Sequence, residues 1–248
     1  MKHRSRSEGP EYDTAAASRV ARFTLLAAVT IMSLAAPAGC TKAPAPTIEH
    51  TGDWRADLHR FAETHLKHPA WGLSHSLRDY ALAKELAAAD QLTLDDDVLY
   101  AAAYLHDVAA FAPFRSAFSD HQDEAARIVE SLLTDTGFPM SKIEAVRSAI
   151  RTHMYDREPV GPEAIYQHDA DALDWLGAIG VARAFGLVDP NGGSPDGPTA
   201  ARELEKTLTT VPPRIVSKAG RARALQRVPE LEQFLRDLRA ESAELRSL

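Results

Sequence analysis

Five segments of the sequence each place a histidine or an aspartate in line with small or apolar residues at helical spacing. The residues concerned are His75, His106, His121, His153 and Asp171. Because residues three, four and seven apart share one face of an α-helix, we expect each of these side chains to point into the core. An uncompensated charge in a core is costly, and a metal ion bound among these groups would offset that cost.

A single residue of this kind has simpler explanations, since a buried histidine can bond a carbonyl and an aspartate can cap a helix. Several imidazoles and two carboxylates converging from different helices instead favour Mn, Fe, Co, Ni or Zn in the core of a bundle. The adjacent residues His106 and Asp107 lie at a predicted helix end, where both can reach one ion and the carboxylate can also reach a second. The sequence therefore predicts one or two divalent transition-metal ions.

The elements that position these residues are predicted to be helices throughout. From Asp53 onward almost every segment has helical periodicity, and no run shows the alternation of a half-buried strand. We therefore predict an all-α fold, a single helical bundle with the metal site in its core. The predicted helices span 53–67, 74–89, 94–108, 121–135, 140–155, 163–186, 198–209 and 214–245. The segment DPNGGSPDGP at 189–198 is predicted to be a flexible loop.

The pattern formed by His75, the doublet His106-Asp107 and Asp171 resembles the H...HD...D pattern of HD-domain hydrolases. The segment DADALDWLGAIGVAR at 169–183 is similar to a segment of bacterial HD phosphohydrolases that act on nucleotides, and the C-terminal run AGRARALQRVPELEQFLRDLRAE is similar to their closing helix. The resemblance covers roughly residues 55 to 245. It implies that His75, His106, Asp107 and Asp171 hold the catalytic metal.

The same resemblance implies further roles. His121 and His153 match positions that hold a second ion in two-metal members. Asp107 is the candidate catalytic residue, which would orient or deprotonate an attacking water molecule, although it could serve only as a ligand. Asp174 could fix a ligand histidine or form a salt bridge on the helix face.

A phosphorylated substrate needs cations near the metal. Arg78, one turn after His75, and Arg115, in the loop before His121, are the candidate substrate-binding residues, with Arg183 next in order. The alternative for Arg78 is a structural pair with a nearby carboxylate such as Asp79. The alternative for Arg115 is that its side chain lies on the surface in solvent and has no role in substrate binding.

One stretch departs from the nucleotide-hydrolysing group. Where those proteins carry an extra His-Asp, this chain has Trp71-Gly72, and the run SHSLRDY resembles a segment of cyanamide-hydratase-like HD proteins. Three functions follow as hypotheses: a phosphohydrolase of nucleotides or related phosphoesters, a hydrolase or hydratase of a small non-phosphorylated molecule, and a non-catalytic metal-bound sensor. Arg78 and Arg115 at the metal would favour the first, and their absence the second.

The first forty residues have the layout of a bacterial export signal. Phe23 to Ala36 is an uncharged apolar run that follows Arg19 and Arg22, and Ala-Gly-Cys40 resembles the end of a lipobox. Pro37 departs from that pattern, and simple cleavage after Ala38 would instead release a soluble protein. We expect residues 1–40 to be the export segment, 41–52 a flexible linker and 53–248 the hydrolase domain. The expected location is the cell envelope, with membrane attachment through a lipidated Cys40.

Composition limits the partners. The formal charge of the 248 residues is −7, and removing the first forty, which hold five basic and three acidic residues, makes it −9. Because nucleic-acid phosphates are held by clustered Lys and Arg, this acidic chain is not expected to bind nucleic acid. Cys40 is the single cysteine, so no intramolecular disulfide can form. The expected partner is a small-molecule substrate.

Overall fold

The structure, a computed structural model, describes residues 45–248. The predicted export segment and the first residues of the predicted linker lie outside this range. Within it the regular elements are helical and no strand is present, which confirms the predicted all-α fold. Helices α1 to α9 span Trp54–His65, Leu73–Ala89, Asp96–Leu105, His121–Leu133, Ile143–Arg151, Pro162–Leu173, Gly177–Phe185, Gly197–Thr210 and Lys218–Glu241. Between residues 45 and 248 no helix is both long and apolar enough to cross a membrane.

Four helices form the centre of the molecule. Helix α2 packs on α3, α3 on α5, α5 on α6, and α6 again on α2, so the four close into a ring. Helix α1 lies against α3, α4 against α5, and α7 to α9 pack together on the side of α6. The buried apolar residues accordingly form two clusters, one around α1, α3, α4 and α5 and one around α2 and α6 to α9. The ring lies between the two clusters.

Local sequence signals explain where the helices begin. Asp53 caps α1 by accepting hydrogen bonds from the backbone N–H groups of Arg55 and Ala56, and Asp95 caps α3 in the same way. The hydroxyl of Ser217 accepts from the N–H of Gly220 at the start of α9. Short polar side chains before a helix satisfy N–H groups that have no partner within the helix.

The predicted helix over 163–186 is wrong, because the chain breaks between α6 and α7. Gly177 has a φ of +65°, a left-handed conformation that favours glycine. A Cβ on Gly180 would lie 2.2 Å from the carbonyl oxygen of Trp175, so the turn also requires glycine there. Arg227 of α9 donates a 2.6 Å hydrogen bond to the carbonyl oxygen of Leu173 and satisfies the end of α6. The break places Asp174 at the end of a helix, beside the ring.

Two other helices end before their predicted last residues, and this places three candidate ligands outside regular helix. Helix α3 ends at Leu105, three residues before the predicted end, and α5 ends at Arg151, four residues before it. His106, Asp107 and His153 therefore lie just beyond helix ends.

The end of the predicted linker contacts the domain. Ile48 is buried in the first apolar cluster. Thr51 donates two hydrogen bonds to Asp57 of α1, from its backbone N–H at 2.8 Å and its hydroxyl at 2.5 Å. Residues 48–51 are therefore anchored to the domain, because Ile48 packs in the core and Thr51 donates hydrogen bonds to the buried carboxylate of Asp57.

The α6–α7 break should be sensitive to a side chain at residue 177. Alanine there must adopt a left-handed φ, which costs about 1–2 kcal/mol, and its Cβ would lie 3.2 Å from the Cβ of Arg227. We expect Gly177→Ala to lower the free energy of unfolding, measured with urea on the metal-free chain.

Gly192→Ala is the matched control, because Gly192 has a φ of +77° and no neighbouring atom within 4 Å of the added Cβ. It should show the conformational cost alone. Equal destabilisation by the two substitutions would contradict tight packing of the break against α9.

Candidate metal centre

One group of candidate ligands converges inside the helix ring. His75 and Asp79 lie on α2, His106 follows α3, and Asp171 lies on α6. Nε2 of His75 lies 3.2 Å from Nε2 of His106, 3.2 Å from Oδ1 of Asp171 and 3.3 Å from Oδ2 of Asp79. All four side chains are buried, and each directs one donor atom into a space less than 4.8 Å across.

Asp107 connects this group with a second set of imidazoles. Its Oδ2 lies 3.3 Å from Nε2 of His106 and 3.7 Å from Nε2 of His75. Its Oδ1 lies 3.2 Å from Nε2 of His121 and 3.6 Å from Nε2 of His153. The carboxylate thus presents one oxygen to each set. The structure brings together all six residues that the sequence predicts as ligands of one or two ions.

Several buried atoms of these residues fit a metal ion. Both carboxylate oxygens of Asp79, Oδ2 of Asp171 and Nε2 of His153 have no hydrogen-bond partner. A buried acceptor that is left unpaired costs roughly 1–3 kcal/mol, and more where it is charged. The donor set of imidazole nitrogens and carboxylate oxygens suits a divalent transition metal.

The orientation of the imidazoles is also that of metal ligands. Nδ1 of His75 is 2.8 Å from the Asp174 carboxylate. Nδ1 of His106 is 2.9 Å from the carbonyl oxygen of Ala103, and Nδ1 of His153 is 2.6 Å from that of Ile150. A hydrogen bond at Nδ1 fixes the ring and leaves Nε2 free to bind a metal.

The buried charges control protonation. Burial by itself lowers the pKa of His75, but Asp79, followed by Asp171 and Asp174, reverses this and raises the pKa to about 10. Burial raises the pKa of Asp79 well above its usual range, whereas it lowers the pKa of His106. His75 therefore holds a proton at neutral pH, which a metal ion must displace.

Asp174 positions His75 and is itself held by two arginines. Arg78 donates to Asp174 from Nε at 3.0 Å and from Nη2 at 2.7 Å, and Nη1 of Arg183 lies 3.3 Å away. Although burial opposes it, the bonds from His75 and Arg78 keep the pKa of Asp174 well below its usual range. Asp174 stays ionised and supports the imidazole from behind.

A cavity of about 260 Å³ opens onto the ligands. It is bounded by Trp71, Asp107, Ala110, His121, Met154, Asp171, Trp175 and Arg183. Neither predicted substrate-binding arginine lines it. Arg78 is turned to Asp174, and Arg115 is exposed and donates to the carbonyl oxygen of Ala110. The cation at this cavity is Arg183, which the sequence ranked third.

The motif missed one residue of the buried cluster, Asp79. It lies four residues after His75, so the i, i+4 spacing that puts both on one helix face was the available signal. The sequence suggests Asp79 only as a possible partner of Arg78. The two do not form an ion pair, since Arg78 binds Asp174.

Comparison with known proteins supports the resemblance to HD-domain hydrolases. Residues 72–176 match the family model described as HD domain, while no curated protein sequence matches the chain. A predicted HD superfamily hydrolase from an uncultured Thermotogales bacterium is similar to the chain, with 26% identity, a TM-score of 0.54 and coverage of 75% of this chain and 90% of that one.

Two further solved structures share the fold. YpgQ of Bacillus subtilis, solved in complex with ADP, has 20% identity and a TM-score of 0.58 over 75% of this chain and 97% of its own. An HD-superfamily hydrolase from Bacillus thuringiensis has 23% identity and a TM-score of 0.52 over 76% and 94%. The predicted HD resemblance and the prediction of a hydrolase are confirmed.

Metal binding should release the proton of His75. At pH 7.5 the raised pKa of His75, about 10, keeps its imidazole protonated without metal, so we expect Mn²⁺ binding to release at least part of a proton and to strengthen as pH rises. Calorimetric titrations in buffers of different ionisation enthalpy measure that release.

Asp79→Asn is the informative variant, because Asp79 makes the largest contribution that raises the His75 pKa. It should release fewer protons at pH 7.5 and bind Mn²⁺ more weakly. Unchanged proton release in Asp79→Asn would contradict the coupling of the two residues.

Proposed function

We propose that this chain, a metal-dependent hydrolase with an HD domain, cleaves a nucleotide or a related small phosphoester. The observation that carries the proposal is the position of Asp107, whose two oxygens face separate imidazole sets at 3.2–3.7 Å. Sites that hold two divalent ions near each other are suited to phosphoester hydrolysis, since they stabilise both the attacking and the leaving oxygen. The proposed ligands are His75, Asp79, His106, Asp107 and Asp171 on one side and His121 and His153 on the other.

A divalent ion bound there would lower the pKa of a water molecule and polarise the bond that is attacked. Asp107 is proposed to orient that water. Although burial raises it, the neighbouring histidines, His106 foremost, keep the pKa of Asp107 well below its usual range. Its ionised carboxylate is therefore a hydrogen-bond acceptor, and this supports an orienting role over proton abstraction.

Arg183 supplies the positive charge that a phosphoryl group needs. Its Nε donates to the carbonyl oxygen of Ala70 at 2.8 Å, and its guanidinium lies 3.9 Å from the ring centroid of Trp175. Nη1 is buried and makes no hydrogen bond, although it lies 3.3 Å from a carboxylate oxygen of Asp174. A fixed guanidinium at the cavity with an unsatisfied donor is suited to an anionic oxygen. The binding of ADP by the fold relative YpgQ also supports a phosphorylated substrate.

A hydrolase or hydratase of a small uncharged molecule is the second candidate. Two observations favour it. Arg78 and Arg115 do not line the cavity, and the side chains of Trp71, Met154 and Trp175 form an apolar part of its wall. Together with the run SHSLRDY, these features fit a neutral substrate. The single cation Arg183 distinguishes the two candidates, since a neutral substrate does not require it.

We also propose that the enzyme acts in the bacterial cell envelope, carried there by residues 1–40 and attached through a lipidated Cys40. The proposal is supported by the basic, apolar and small-residue order of that segment.

Phosphoester hydrolysis should require metal, Asp107 and Arg183. With Mn, Co, Ni or Zn, we expect phosphate release from nucleotides to fall roughly 100-fold or more in Asp107→Asn, because the variant loses an ionised acceptor. Arg183→Gln should raise KM for the phosphoester through loss of the cation, and steady-state phosphate assays measure both effects.

Arg115→Gln is the control and should retain activity, since Arg115 is exposed and lies outside the cavity lining. Metal binding without cleavage of any phosphoester would contradict the proposal. Turnover of a nitrile or amide would then support the second candidate, and no turnover would support the sensor.

A further inference from the structure

A second cavity, of about 290 Å³, adjoins the metal cavity. Met154 and Trp175 line both cavities. We call the second cavity the apolar compartment. Its walls include Tyr155, Leu187, Pro195 and Ala200. Ligand sites with a volume of roughly 300–1,000 Å³ are usual for small molecules, so the two adjoining spaces suit a substrate larger than a phosphate group alone.

Most of the apolar compartment is built by a part of the chain outside the HD match. The match ends at residue 176, whereas Leu187 and Pro195 come from the segment between α7 and α8, and Ala200 comes from α8. The sequence predicts a flexible loop at 189–198, but within it the N–H of Asp189 donates to the carbonyl oxygen of Pro195 at 2.8 Å. The loop thus closes on itself and holds Pro195 in the wall.

The chemistry of the apolar compartment excludes the phosphoryl group and favours a planar ring. Its lining contains no Lys or Arg, and its charged residue is Glu203, which has an exposed side chain on α8. Tyr155 and Trp175 offer aromatic surfaces, and Met154 offers a polarisable sulfur that packs well against rings. Glu203, with Thr199 and Thr207 also in the lining, can accept hydrogen bonds from N–H groups.

We propose that the apolar compartment binds the base of a nucleoside phosphate while the phosphoryl group lies at Arg183. This assignment rests on the proposed phosphohydrolase function and narrows its substrate to phosphoesters with a nitrogen-bearing aromatic ring. Met154 and Trp175 lie where the two parts of the substrate join. The HD segment would supply the chemistry, and the loop and α8 the selection of substrate.

Thr199→Trp tests the assignment by filling the apolar compartment from its α8 wall. With the metal-loaded chain, we expect KM for adenosine 5′-monophosphate to rise at least tenfold, and kcat/KM for glycerol 2-phosphate, which has no ring, to change less than twofold. Thr209→Trp is the matched control, since Thr209 is exposed on the same helix and outside the lining; it should leave both values unchanged.

Binding of adenosine to the metal-free chain separates this assignment from the proposed function, because it requires no turnover. We expect adenosine to quench tryptophan fluorescence saturably in the unsubstituted chain and in Thr209→Trp, and to bind at least tenfold more weakly in Thr199→Trp. Saturable binding without hydrolysis would support the apolar compartment and overturn only the phosphohydrolase. Equal adenosine affinity in the two tryptophan variants, absence of adenosine binding, or equal loss of activity toward the two phosphoesters would overturn the base site.

Discussion

Four buried carboxylates within one helix ring set the central constraint on this structure. Asp79, Asp107, Asp171 and Asp174 are at most 8% exposed, and so many negative charges cannot be buried together without positive partners. Asp174 obtains its partners from the protein, as Arg78 and His75 bond it directly. The other three direct oxygen atoms at histidine Nε2 atoms, an arrangement that a divalent cation completes.

The ends of three helices position the side chains that surround these carboxylates. Helices α3 and α5 end just before His106 and His153, which lets their rings turn inward and bond carbonyl oxygens of the final turn through Nδ1. The break between α6 and α7 brings Asp174 to His75. Beyond that break, α7, α8 and the loop between them supply most of the lining of the apolar compartment. The segment with the candidate metal ligands and most of the segment proposed to select the substrate are therefore successive parts of one chain.

The sequence predicted the helical fold and the convergence of the ligands because both depend on local spacing. His75 and Asp171 are placed by helical periodicity, and the doublet His106-Asp107 by a helix end. Long-range partners were not visible. Arg78 was assigned to substrate although its carboxylate partner, Asp174, lies 96 residues away, and the helix break depends on Arg227 of α9. Asp79 was missed because its burial follows from the packing of α2 in the ring and not from any motif.

The position of metal ions relative to Asp107 tests the central claim most directly. Crystals of the chain grown with Mn²⁺ and measured near the manganese absorption edge would locate each ion by its anomalous signal. We predict two peaks on opposite sides of the Asp107 carboxylate, one among His75, His106 and Asp171 and the other beside His121 and His153. A single peak with His121 and His153 uninvolved, or manganese bound away from Asp107, would contradict the account.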